Sequence, residues 1–412
     1  MSTSDTRPAK PRRYVRRVSP VERYWLVFNE IYHFHVDGIV EGAGQVDPAQ
    51  LQAAVDRAAA ANPAIRVRFR GFLGFARWVD SGIAPRVRLM PQADWDGSSE
   101  RGAPFLLERL DALGGGPIAD VLLVPCNDGK TRIVFRTLHA AIDGRGFMHW
   151  LAEVFRALRG EPLLGSSSNL IDLDVQEQYR GQVPERPKSA PVSAIPVLQP
   201  AEKRDGMHFI WRRAIIDNNV SQLLPKTAVF LADWARRQSQ GEVVFTVPVD
   251  YRGLRTQEMG LGNLTGFLNL NIAEDATPRK VMQQLLQRIR AFGDVWQAPG
   301  IRLLYWIPIW FMARRLRPKV DAVLHNVSPA LPSGGIVSMG NLTPEEHSFP
   351  GFRCHMSYGI PGAVGKLNVV FLNYPGFVVI NFATPAAYNH RGQLDELVAA
   401  YQQHFSAAGS ST

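Results

Sequence analysis

Cysteine is scarce: Cys126 and Cys354 are the only two in 412 residues. They show no metal-ligand spacing and two thiols do not make a disulfide framework, so a reducing, cytoplasmic setting is expected. Long apolar runs are missing too. The densest, residues 301–317, falls short of the ~20 residues a membrane-spanning helix needs. Charged residues make up only 20% against 46% hydrophobic, which excludes a largely disordered chain and fits a soluble globular one. No Ser or Cys nucleophile elbow, Gly-rich phosphate loop or metal-binding cluster occurs. Tyr32, Phe34 and Val36 share one face of an expected strand, with His33 and His35 on the other. Two His without a third ligand nearby read as solvated or tunnel-lining rather than as a metal site.

What is present begins with basic charge. The net charge is +9, and Arg7, Lys10, Arg12, Arg13, Arg16 and Arg17 crowd residues 1–17. That segment reads as a disordered basic leader; with no apolar core behind it, it is not a signal peptide. Nucleic-acid binding is the usual alternative for a basic chain, but no recognition motif or dense basic helix supports it. A basic surface equally suits an acidic carrier protein or the phosphates of coenzyme A. A chain this long is expected to form two lobes. The Pro- and Ser-rich stretch 163–206 marks the division: residues 18–165, a linker over 166–206, and residues 207–412.

The first lobe is organised around residues 131–158. Ile133, Val134, Phe135 and Leu138 form a short β-branched run, read as a strand. A turn with Gly144 and Gly146 follows. Phe147, Trp150, Leu151, Val154, Phe155 and Leu158 then recur at helical spacing. Between strand and helix lies His139-Ala-Ala-Ile-Asp143-Gly144, an HxxxDG hexapeptide. An imidazole with a pKa near ~6.5 can take a proton from a hydroxyl or amine and return it to a leaving group, so His139 is a candidate general base. Asp143 either orients that imidazole or turns away to pin the loop through an Arg. Gly144 allows close backbone approach and can offer an N–H to an oxyanion. A metal held by His139 and Asp143 ranks last, because the turn supplies two ligands only.

Elsewhere, Asp47 as N-cap and Pro48 at the first position open a helix over 47–61. Asn62-Pro63 ends it, and Ile65, Val67 and Phe69 alternate with arginines into a strand. Residues 243–272 read as strand, polar turn and strand. A helix is expected over 278–297, beginning at Thr277-Pro278. Residues 301–317, rich in Trp and Ile with Pro308 inside, are read first as a buried kinked helix. The alternatives are an interfacial helix making peripheral membrane contact and the wall of an acyl-chain tunnel. The tail reads as a hairpin turning at residues 373–376, then a helix to Phe405.

The hexapeptide resembles the HHxxxDG signature of the superfamily that unites chloramphenicol acetyltransferases, nonribosomal peptide condensation domains and polyketide-associated acyltransferases. His139 matches its second His, and Leu138 stands at the first. Asn62-Pro-Ala-Ile-Arg-Val-Arg-Phe69 is similar to the superfamily's opening His-Pro-x-Leu-Arg-x-Arg-Phe, in the right order and at the right separation. The resemblance covers about residues 18–406. It implies an α/β (α+β sandwich) fold of two chloramphenicol-acetyltransferase-like lobes forming a V with a central active-site tunnel. It also implies an Arg paired with the signature Asp, for which Arg252 is the first candidate and Arg255 the second. Asn263, Thr265 and Asn269 could line the channel or merely satisfy turn backbone; Trp25 and Phe147 are further candidates for contacting substrate.

By the same resemblance the activity is acyl transfer from a thioester to an alcohol or amine, in secondary metabolite or lipid biosynthesis. No cofactor is resident. The co-substrate is a phosphopantetheine thioester, carried by an acyl or peptidyl carrier protein or by coenzyme A. His139 would deprotonate the acceptor without an acyl-enzyme. The alternatives are a free-standing condensation protein forming an amide and a non-catalytic member that only binds a carrier protein.

Overall fold

The computed structural model describes residues 13–31, 34–183, 194–200, 209–217, 220–297, 299–324, 331–362 and 366–407. The first part of the chain runs β1 (Val15–Arg17), α1 (Pro20–Ile31), β2 (His35–Gly44), α2 (Pro48–Ala61), β3 (Val67–Arg70) and β4 (Arg77–Asp80). It continues through β5 (Arg86–Leu89), β6 (Ala119–Pro125), β7 (Thr131–Leu138) and α3 (Gly144–Leu158). After α4 (Asp172–Gln178) come β8 (Phe209–Ile216), α5 (Leu223–Arg236), β9 (Val243–Asp250), β10 (Thr265–Ile272), α6 (Pro278–Arg290) and α7 (Ile309–Leu324). The chain closes with β11 (Gly334–Asn341), β12 (Phe352–Ile360), β13 (Asn368–Tyr374), β14 (Phe377–Pro385) and α8 (Gln393–Ala407).

Among the described residues the strands form three sheets, ordered β1-β4-β3, β12-β2-β7-β6-β5 and β10-β9-β11-β13-β14-β8. The architecture is the expected mixture of α and β, mainly antiparallel; β5 lies parallel to β6, and β11 lies parallel to both β9 and β13. Helices α2 and α3 cover the five-stranded sheet. All of Phe147, Trp150, Leu151, Val154, Phe155 and Leu158 are buried there, each worth roughly 1.5–3 kcal/mol relative to exposure. Asp47 caps α2 by accepting from the Ala49 and Gln50 amides, and Thr277 caps α6 through the Lys280 amide. The hairpin β13–β14 turns at Pro375-Gly376, where Gly376 takes φ +88°.

Four expectations need correction. The basic leader is ordered at its end: Val15–Arg17 pairs with β4, Arg16 is buried against Glu22, and Arg17 reaches Asp174 at 2.6 Å. Arg7, Lys10, Arg12 and, within the Pro- and Ser-rich linker, residues 184–193 and 201–206 lie outside the described residues, yet that linker contains α4. The two lobes also do not separate at residue 207. Strand β12 pairs along β2, so the second half of the chain completes the first half's sheet. Finally, residues 301–317 are not one buried helix, although Ile309, Met312 and Ala313 do join the core. Pro308 separates a 3-10 turn, Ile301–Trp306, from α7, and Leu303, Trp306 and Trp310 are exposed.

His35 is buried rather than solvated, and its Nε2 accepts from the Leu110 amide at 3.4 Å. Tyr32 and His33 lie outside the described residues. Among the described residues no helix is long and apolar enough to cross a membrane, and no group of His, Cys, Asp and Glu could hold a metal ion.

Candidate active site

A cavity of about 440 Å³ opens between the five- and six-stranded sheets. Gly38 of β2, Phe147 and Leu151 of α3, Val337 of β11 and Val370 of β13 give it apolar walls. His139 and Asp143 both line it, at the point where β7 hands over to α3.

The two residues have opposite surroundings. Asp143, 2% exposed, is the N-cap of α3. It accepts from the Gly146 amide (2.8 Å), from Arg252 twice (3.0 and 3.1 Å), from the Leu264 amide (2.8 Å) and from the Thr265 hydroxyl (2.9 Å). A carboxylate so engaged is a structural knot, since every acceptor direction is filled. Of the two arginines considered, Arg252 makes this pair and also donates to the carbonyls of Gly260 and Gly262. Arg255 pairs with Asp294 instead.

His139 is half-buried and packed by rings. Phe34 stacks on the imidazole at 4.9 Å with 4° between planes, and Trp25 meets it edge-on at 4.4 Å. Its Nδ1 is buried without a hydrogen bond to any other described residue. Burial pulls its pKa below the ordinary imidazole value, only partly offset by its own backbone carbonyl and by Asp143. Desolvation disfavours the cation relative to the neutral ring.

The loop between these residues is fixed from behind. Arg16 donates to the Ala141 carbonyl at 2.9 Å, and Asn263 donates to the Ala140 carbonyl at 3.1 Å. Glu22 joins both: it pairs with Arg16 and accepts from Asn263 at 3.1 Å and from Trp78 Nε1 at 3.1 Å. Glu22 is itself placed by Ser19, each accepting the other's backbone amide. Sequence reasoning missed this support, although Ser19-Pro-Val-Glu22 ahead of an apolar run is a readable capping box.

The remaining candidates divide. Trp25, Phe147, Gly144 and Thr265 line the cavity, though the Thr265 hydroxyl is committed to Asp143. Asn263 and Asn269 do not line it. Asn263 sits buried behind the loop, and Asn269 accepts from Thr246 at 2.8 Å across the β9–β10 pair. The glycine that requires close approach is Gly146, not Gly144: a Cβ there would lie 2.1 Å from the Leu261 carbonyl oxygen. Strand β11, to which the sequence assigned no role, crosses the site. Its Met339 abuts Gly144 and accepts from Arg145 at 2.9 Å through its carbonyl.

No protein-family model matches the sequence, and no curated protein matches it. Solved structures do. The condensation domain of the Monacolin K polyketide synthase MokA superposes with a TM-score of 0.62 at 11% identity, covering 96% of this chain and 98% of that one. Polyketide synthase associated protein 5 from Mycobacterium tuberculosis gives 0.59 at 16% identity, covering 95% and 98%. The starter condensation domain of rhizomide synthetase RzmA, in a mutant solved in complex with C8-CoA, gives 0.61 at 14% identity, covering 96% and 95%. The chain therefore has the condensation-domain, chloramphenicol-acetyltransferase-like fold along nearly its whole length.

Proposed function

We propose that the protein is an acyltransferase that moves an acyl group from a phosphopantetheine thioester to an alcohol or amine, with His139 as general base. The observation that carries this reading is an imidazole clamped between Trp25 and Phe34 at the wall of an apolar cavity, where burial disfavours its cation. With Nδ1 buried, Nε2 takes the acceptor's proton as its oxygen or nitrogen attacks the thioester carbonyl. The tetrahedral intermediate then collapses, the carbon–sulfur bond breaks, and the leaving sulfur takes the proton from His139, departing as the thiol and restoring the free base. No acyl-enzyme forms. The amides at the start of α3, at Gly144, can stabilise the oxyanion. Asp143 does not share the proton; it holds the loop.

The C8-CoA complex of a structural neighbour supports a thioester donor, either coenzyme A or a carrier protein. The apolar lining favours a fatty or polyketide-like acyl group over acetyl. The setting consistent with the fold's synthase relatives is secondary metabolite or lipid biosynthesis.

The test is intact-mass analysis of acyl-loaded carrier protein and of acyl-CoA, from acetyl to long chain, with candidate alcohols and amines. The expected result is loss of the acyl group and a new ester or amide with wild type, and neither with His139→Ala. Equal deacylation by both proteins overturns the role of His139. Use of acetyl donors alone overturns the acyl class. Binding of the carrier with no turnover of any donor overturns the enzyme reading in favour of a carrier-binding protein.

A further inference from the structure

We infer that the face carrying Phe72–Phe75 and residues 301–317 docks onto an anionic lipid bilayer. Phe72, Phe75, Leu303, Trp306, Trp310 and Phe311 are between 38% and 71% exposed. Several of them form one surface: Phe75 meets Trp306 edge-on at 6.2 Å, and Trp310 meets Phe311 at 5.9 Å. Apolar rings in water are unfavourable, yet the fold holds these ones out. Arg23 donates to the carbonyls of Leu73 (2.9 Å), Leu304 (2.8 Å) and Ile307 (2.6 Å), tying both segments to α1. Leu73 also sits at φ +49°, a left-handed conformation that a branched residue adopts only at a cost. A surface rigidified in this way is prepared for a partner.

Its chemistry fits a bilayer interface. Arg314, Arg315 and Arg317 stand exposed on α7, and Arg315 lies over the Phe311 ring at 5.2 Å. Trp and Phe partition into the headgroup boundary while the guanidinium groups meet lipid phosphates. Each of these side chains keeps more than a third of its surface open to solvent despite these contacts. That shape suits insertion between headgroups better than close packing on a folded partner. Helix α1 connects the surface to the cavity, since Arg23 anchors the aromatic segments while Trp25 lines the cavity beside His139. Docking there would bring the cavity within one helix of the lipid.

Flotation of the full chain tests this, with vesicles of phosphatidylcholine alone and of phosphatidylcholine mixed with phosphatidylglycerol. The expected result is binding to the anionic vesicles, weakened by salt. Trp306→Ser with Trp310→Ser should weaken it at least about tenfold, and so should Arg314→Ser with Arg315→Ser. Both doubles alter exposed side chains, so an unchanged Tm is expected and confirms folding. No vesicle binding by wild type, or undiminished binding by the aromatic double, overturns the proposal. Self-association or carrier-protein capture abolished by the same substitutions, without vesicle binding, also overturns it and assigns the face to a protein.

Discussion

His139 and Asp143 stand four residues apart on one loop, and the structure treats them oppositely. Asp143 is filled with donors from three stretches of chain: the start of α3, Arg252, and the turn into β10. His139 is walled by Phe34 and Trp25, with a buried Nδ1 that bonds to no other described residue. A satisfied buried group contributes rigidity, because moving it strands its partners. A desolvated, under-partnered base stays free to take a proton. On the proposed function, the loop separates two tasks by residue, Asp143 holding and His139 reacting.

The comparison breaks most visibly in activity. His139→Ala should lower kcat by about 10²–10⁴-fold while shifting Tm by only a few degrees, measured by acyl transfer and thermal melts side by side. A comparable loss from Asp143→Asn at unchanged stability would give Asp143 a chemical role and erase the contrast. Asp143→Ala should instead destabilise by about 1–3 kcal/mol in denaturant titration, because it strands the Gly146 and Leu264 amides and leaves the buried Arg252 guanidinium with Asp250, at 2.7 Å, as its remaining carboxylate. Removing both, with Asp143→Ala and Arg252→Met, should cost less than the sum of the single changes.

Asn263→Ala, which strips the Ala140 carbonyl of its donor while Glu22 keeps Arg16, should cost about 1–3 kcal/mol and lower activity through the loop. Its effect on kcat should be far smaller than that of His139→Ala.

The pH profile sharpens the contrast most finely. His139 has a folded pKa below the unfolded value, so between the folded value and ~6.5 the unfolded chain binds the proton and the fold does not. The imidazole therefore lowers stability as pH falls through that window and is neutral above it. His139→Phe should flatten that part of the stability curve. In wild type the acid limb of kcat/KM should have its midpoint below ~6.5; a limb above that value would contradict the desolvated site.

Much of the local structure was legible. The face of α3, the caps at Asp47 and Thr277, and the hairpin at Gly376 follow from short-range periodicity and turn chemistry. The proposed base and the Arg252 partner were legible through motif order. Less legible were the groups gathered from far along the chain. Arg16, Glu22 and Asn263 converge on two loop carbonyls from positions no spacing relates. Phe34 carries no signal that it stacks on His139. Asn263 and Asn269 look like channel residues only while the direction of each side chain is unknown.

The sequence by itself determined helices α2, α3 and α6, strands β7, β9 and β10, which face of α3 is buried, and where a titratable base follows a strand. These properties depend on neighbours a few residues away. Only the tertiary structure decided that β12 crosses to β2, that β11 walls the cavity, and that Leu303, Trp306 and Trp310 lie on the surface. Strand partners and exposure depend on contacts between residues hundreds of positions apart, where apolar character alone suits several arrangements. The pairing of Asp143 with Arg252, 109 positions apart, belongs to both. Charge made the partner necessary, and the fold selected Arg252 by giving Arg255 to Asp294.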